Sequence, residues 1–200
     1  MKMSEVITTK DTALGTESIG KLLFKLSVPA IAAQFVNMLY NIVDRIYIGH
    51  IAGEGAAALT GVGVCMPLIM IVSSFAALVS SGGAPRASIF MGKKEMGNAE
   101  KTLGSCFTTQ IIISLILTAV MLVWNRPMLL AFGASENTIE YALSYMNIYA
   151  VGTIFVQLTL GMNAFITAQG AALTSMLTVL TGAVCNIILD PIFIFGLNMG

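Results

Sequence analysis

The chain has 200 residues, 56% hydrophobic and 10% charged, with a mean hydropathy of +0.87 and a formal net charge of zero. An ordinary soluble domain carries about 25% charged residues, so these few charges cannot cover a water-facing surface. The apolar surface faces lipid, and the neutral balance offers no basic footprint for nucleic acid. Three cysteines, all inside apolar runs, give neither a disulfide framework nor a metal spacing, and they are read as inert core thiols. His50 is the sole histidine, which removes any His-based metal site or triad.

Residues 1–20 are polar, lack a secretory signal and are read as a short cytoplasmic tail. Residues 21–200 form a membrane lobe. A crossing helix needs about 20 mostly apolar residues, and five such spans are predicted, at about 22–48, 57–85, 103–124, 141–168 and 173–195. The last two come from one uncharged stretch, 141–189, too long for a single crossing. Gln169-Gly170-Ala171 is where it divides, because glycine ends helices. Ser135 is expected to cap the fourth helix, with Glu136 in its first turn. Eight Lys and Arg residues flank one side, in the tail and between spans two and three, while Arg45 and Arg126 fall on the other. This asymmetry places the N-terminus in the cytoplasm. Five crossings then leave Gly200 outside, and more chain is expected in the natural product.

Span one carries Gln34, Asn37, Asn41 and Asp44 at spacings of three, four and three, which stack on one helical face. Such a stripe faces a protein interior or a wet cavity, as helix-to-helix glue or as cavity lining. Asp44 is the costliest member, because a carboxylate at membrane depth costs roughly 2.5–3.5 kcal/mol on insertion scales. Arg45, adjacent in sequence, does not share its face and is expected to snorkel to the outer interface.

Span five repeats the theme. Asn186 and Asp190 are four residues apart, and Pro191 follows. Proline cannot bond back to the carbonyl of Ile187, and freed carbonyls in broken helices are how transporters build cation sites. Asp44 lies about 7–14 Å along the axis from the end of its span, and Asp190 about 9 Å from the end of its own. The two carboxylates therefore share a depth and can share a site, which must hold a proton or a hard cation such as sodium. In span two, Ala76, Ser80 and Ala84 repeat every four residues, with Ala77, Ser81 and Pro85 beside them, a pattern for close helix packing. Thirteen methionines are either flexible core filler or the lining of a permissive drug pocket.

Four segments carry a family resemblance: LSVPAIAAQFVNMLYNIVDRIYIGHIAG, IFMGKKEMGNAEK, ASENTIEYALSYMNIYAVG and CNIILDPIFIFG. Together they cover most of residues 22–197, and the chain resembles the N-terminal part of MATE (multidrug and toxic compound extrusion) transporters, most of all the bacterial MepA/DinF-like branch. The resemblance implies an all-α membrane protein, one lobe of a twelve-helix transporter whose C-terminal lobe lies outside the sequence. It implies a sodium- or proton-coupled antiporter in the cell membrane, not an enzyme, exporting amphipathic organic cations or drugs without a cofactor beyond the coupling ion. It also implies that Asp44, Asn186 and Asp190 bind that ion, with a further ligand on a sixth helix past Gly200. Where many members carry an arginine near the end of span four, this chain reads ITAQG. A lipid-linked oligosaccharide flippase of the same superfamily is the alternative; its pyrophosphate cargo would need a basic cavity, and the spans carry few buried cations.

Overall fold

The computed structural model describes residues 18–51, 53 and 55–196, and the side chain of Phe195 is not included. Residues 1–17 of the expected tail, and the last four residues, therefore lie outside the described part. Five long helices follow one another: α1 (Ile19–Gly49), α2 (Gly55–Gly92), α3 (Met96–Ala131), α4 (Ile139–Ala168) and α5 (Ala172–Pro191). A π-helical turn, Ile192–Gly196, continues α5. All five segments are long and apolar enough to cross a membrane.

α2 and α3 overshoot the spans read from hydropathy. At 1.5 Å per residue, their 38 and 36 residues make rods of about 55 Å, against a hydrocarbon core of about 30 Å. Hydropathy reports where a helix is apolar, not where it ends. Arg86 and Lys101, expected in a loop, are instead helical, and the connection narrows to a tight turn in which Lys94 has φ 60. In α3 the apolar span expected to stop at Trp124 meets a kink there, with φ −110 and ψ 20 at Trp124. Pro127 three residues later supplies the cause, since its ring and missing N–H disturb the preceding turn.

The division of the long apolar stretch falls at Gln169–Ala171. Gly170 takes φ +75, a left-handed conformation that costs glycine nothing. The cap of α4 is corrected: Thr138, not Ser135, precedes the helix, and the first-turn acid is Glu140, not Glu136. Ser135 opens the turn before it. Its N–H donates to Thr138 Oγ1 at 3.0 Å, and its carbonyl accepts from the N–H groups of Thr138 and Ile139. The Thr138 hydroxyl is taken up by the Ser135 N–H and makes no capping bond to the helix, so the chain turns at Ser135 before α4 begins. Glu140 also pairs with Arg126 at 3.6 Å across the α3–α4 connection. Both partners are exposed, so the pair adds little stability.

α4 packs against α2 and α3 to form a three-helix unit, while α1 packs mainly on α5. The small-residue row of α2 is the reason for the close approach: Ala76, Ser80 and Ala84 are buried against the neighbouring helices. The second row is corrected. Ala77, Ser81 and Pro85 are exposed, because one helix face fills the α2–α4 seam and the next row turns away from it. Cys65 lies in the main core cluster with Leu68, Val72, Leu129 and Met146. Cys106 is only half-buried and Cys185 is exposed on α5, so the expectation of three core thiols holds for Cys65 alone. Outside, large apolar side chains such as Phe24, Phe35, Ile148 and Phe155 are exposed, as a lipid-facing surface requires.

A buried polar seam crosses the three-helix unit. Gln157 of α4 donates to the Val72 carbonyl at 2.8 Å, and Gln110 of α3 donates to the Ala76 carbonyl, one turn on, at 3.2 Å. Both glutamines are fully buried, and their Oε1 atoms have no donor among the described residues. Thr118 adds a bond to the Ala150 carbonyl at 2.9 Å. Such bonds between membrane helices average about 0.6 kcal/mol. Gln157→Met is therefore expected to cost less than about 1 kcal/mol, since it also removes an unsatisfied oxygen. Equilibrium unfolding in mixed micelles checks this; a loss of several kcal/mol would show that the seam acts as one cooperative network.

Candidate functional site

The α1–α5 pair carries the two membrane carboxylates. Asp44 lies five residues from the end of α1, and Asp190 is the penultimate residue of α5. Their carboxyl groups lie within hydrogen-bond reach of one another. Asn186, one turn before Asp190, donates from Nδ2 to Asp190 Oδ1 at 2.9 Å. Asp190 Oδ2 and Asn186 Oδ1 are buried with no hydrogen-bond partner among the described residues. Ionised carboxylates only accept hydrogen bonds, so two of them in contact need a proton or a cation between them. The orphaned oxygens of Asn186 and Asp190, together with Asp44, make an oxygen donor set that fits a hard cation.

The backbone beside the site is irregular. Pro191 offers the Ile187 carbonyl no N–H, and the following N–H, that of Ile192, goes to Leu189. The chain then winds as a π-helix, a form found mostly at functional positions. The expected break at Pro191 is thus a change of helical pitch and not a gap.

The rest of the span-one stripe behaves differently from Asp44. Asn41 turns its amide onto the Asn37 carbonyl of its own helix, at 2.7 Å. Gln34 and Asn41 are exposed and Asn37 is half-buried. None of these three contributes to the carboxylate contact among the described hydrogen bonds. Arg45, expected to snorkel, donates instead to Met66 Sδ of α2 at 3.5 Å and lies within electrostatic range of Asp44.

Aromatic residues from a third helix complete the surroundings, and the sequence reading missed them. Tyr145 and Tyr149 of α4 stack with ring centroids 6.3 Å apart. Tyr145 lies within electrostatic range of Asp44, and both tyrosines lie within range of Tyr40 on α1. The Tyr149 hydroxyl is buried without a partner. The available signal was spacing: Tyr145 and Tyr149 share a face of α4, and Tyr40 sits one turn before Asp44.

Residues 29–192 match the MatE family model. Among curated relatives, the multidrug export protein MepA of Staphylococcus haemolyticus is 26% identical over 91% of this chain and 40% of its own length. Among solved structures, the MATE multidrug transporter DinF-BH, solved as a complex with a bound ligand, superposes with a TM-score of 0.86. It is 38% identical over 93% of this chain and 41% of that protein. A transporter of the MOP superfamily from Pyrococcus furiosus, described by the reverse polarity of its binding pocket, has a TM-score of 0.81 at 26% identity, over 88% of this chain and 38% of its own. The chain thus spans about 40% of the length of the relatives it matches, with the architecture of an N-terminal MATE lobe. On these grounds this five-helix membrane protein belongs to the MATE family of multidrug transporters.

Proposed function

We propose that the chain forms the ion-coupling lobe of a multidrug exporter of the cell membrane, driven by entry of sodium or protons. The observation that carries this reading is the contact of Asp44 with Asp190, with orphaned oxygens around it in the membrane. A charge that can be taken up and released there links ion movement to helix movement between α1 and α5. Bound sodium would be held by Asp44, Asn186 and Asp190; a proton would sit between the two carboxyls. The names of the MepA and DinF-BH relatives support drugs as cargo. Amphipathic organic cations are the favoured class, because Asp44 and Asp190 put negative charge inside the lobe. Gln34 and Asn41, exposed on α1, are candidates to line the cavity toward a second lobe.

The test is transport by the full-length natural protein in proteoliposomes, with sodium and proton gradients imposed separately. One gradient is expected to drive uptake of a cationic dye into inside-out vesicles. Transport driven by neither would defeat the coupling proposal, and preference for an anionic lipid-linked sugar would favour the flippase.

The N-terminus is proposed to face the cytoplasm. Single cysteines placed at Lys94 and Glu136, at opposite ends of the bundle, are expected to react with an impermeant maleimide from opposite sides of the membrane. Glu136 should label in intact cells and Lys94 only after permeabilisation. The reverse pattern would invert the topology.

A further inference from the structure

A groove of about 560 Å³ runs between the C-terminal half of α2 and the N-terminal half of α3, at the opposite end of the bundle from the Asp44–Asp190 contact. Gly82, Arg86 and Phe90 line it from α2 at one-turn intervals. Lys101, Thr102 and Ser105 line it from α3. The guanidinium of Arg86 sits over the Phe90 ring, 5.8 Å from its centroid, which positions the charge without neutralising it. Lys101 has no ion-pair partner among the described residues. Neither cation forms an ion pair with the nearby acids among the described residues. Glu95 accepts a bond from Asn98 at 2.8 Å, and Glu100, adjacent to Lys101, lies on another face of the helix.

The groove continues into an apolar surface. Leu78, one turn before Gly82 on the same face of α2, is 66% exposed, and Ile112 of α3 is 53% exposed. Two free cations and two hydroxyls at the end of a membrane bundle, above exposed aliphatic side chains, match an anionic headgroup above its acyl chains. Gly82 keeps the floor open: a Cβ there would meet no atom within 4 Å. Its neighbour Gly83 instead closes the bottom, packing on Cys106 and Phe165.

We propose that this groove binds the phosphate headgroup of an anionic phospholipid, held by Arg86 and Lys101. The site is separate from the carboxylate pair and does not depend on what that pair binds.

Native mass spectrometry of the full-length protein, released from nanodiscs of equal phosphatidylglycerol and phosphatidylcholine, tests the proposal. Retained lipid is expected to be enriched in phosphatidylglycerol. Arg86→Gln with Lys101→Gln should lower that enrichment about thirtyfold, from roughly fivefold for each cation near the membrane surface. Arg86→Lys with Lys101→Arg should keep most of it. Gly82→Leu, whose Cβ meets no protein atom within 4 Å and whose side chain extends into the groove, should also lower it with both cations intact. This second variant decides the matter if the double glutamine variant does not fold. Equal retention of the two lipids, or enrichment that survives both Gly82→Leu and the glutamine pair, would overturn the proposal. Displacement of phosphatidylglycerol by millimolar inorganic phosphate would also overturn it, by showing a soluble-anion site.

Discussion

Asp190→Asn is expected to reduce gradient-driven export to the level of vesicles without protein, while the variant still reaches the membrane. The amide keeps the shape of the carboxyl, and its oxygen still accepts from Asn186, whose bond to Asp190 Oδ1 is 2.9 Å. What it loses is the group that can exchange a proton or hold a cation opposite Asp44. Asp44→Asn should have the same effect. The double variant should be no worse than either single one, because residues acting as a unit are non-additive. Gln34→Ala, altering an exposed amide, should leave most activity. The measurement is dye flux normalised to protein in the membrane. An Asp190→Asn protein that exports like the parent under the same gradient removes the coupling role from this residue.

Gly61→Leu is expected to disrupt packing of the three-helix unit strongly. A Cβ at Gly61 would lie 2.9 Å from Tyr141 Cβ, 3.1 Å from the Ala142 nitrogen and 3.2 Å from the Thr138 carbonyl oxygen. Two of these are backbone atoms, which no rotamer change can move. Overpacking a tight core costs about 1–3 kcal/mol or more. At Gly63, two residues away, a Cβ meets nothing within 4 Å, and Gly63→Leu should stay within about 0.5 kcal/mol. Equilibrium unfolding of the pair in mixed micelles makes the comparison. Equal stability of the two variants would mean that α2 and α4 do not approach as closely as described.

The features that could be read from the sequence are those set by a helix's own periodicity. Glycine at 170 marks a boundary because few other residues take φ +75 easily. The row Ala76, Ser80, Ala84 is small because something packs there, whatever that something is. The approach of Asp44 to Asp190 was readable from matched depth, but the nature of the bound ion was not, because oxygen ligands serve a proton and sodium alike. Features that depend on the neighbouring helix were hidden. A second small row, Ala77, Ser81, Pro85, looks the same in sequence yet is exposed. Gln110 and Gln157 are lone amides in apolar runs, and only the fold shows that they grip adjacent turns of α2. The start of α4 was hidden because a turn opening at Ser135 precedes it, so Thr138, not Ser135, sits before the first helical residue. Helix ends were hidden too, since α2 and α3 continue through charged residues that hydropathy counts as loop.

The pairing of α1 with α5 has a consequence for biosynthesis. α1 leaves the ribosome with Asp44 and three amides exposed along its length, and its main partner, α5, is made about 140 residues later. At about 5–20 residues per second, that gap lasts roughly 7–30 s. During this time α2, α3 and α4 can already close around their own core, because their contacts lie among themselves. Until α5 is made, the polar stripe of α1 lacks its main partner among the described helices. Docking of α5 then assembles the carboxylate pair, so the site forms only once α5 has been made.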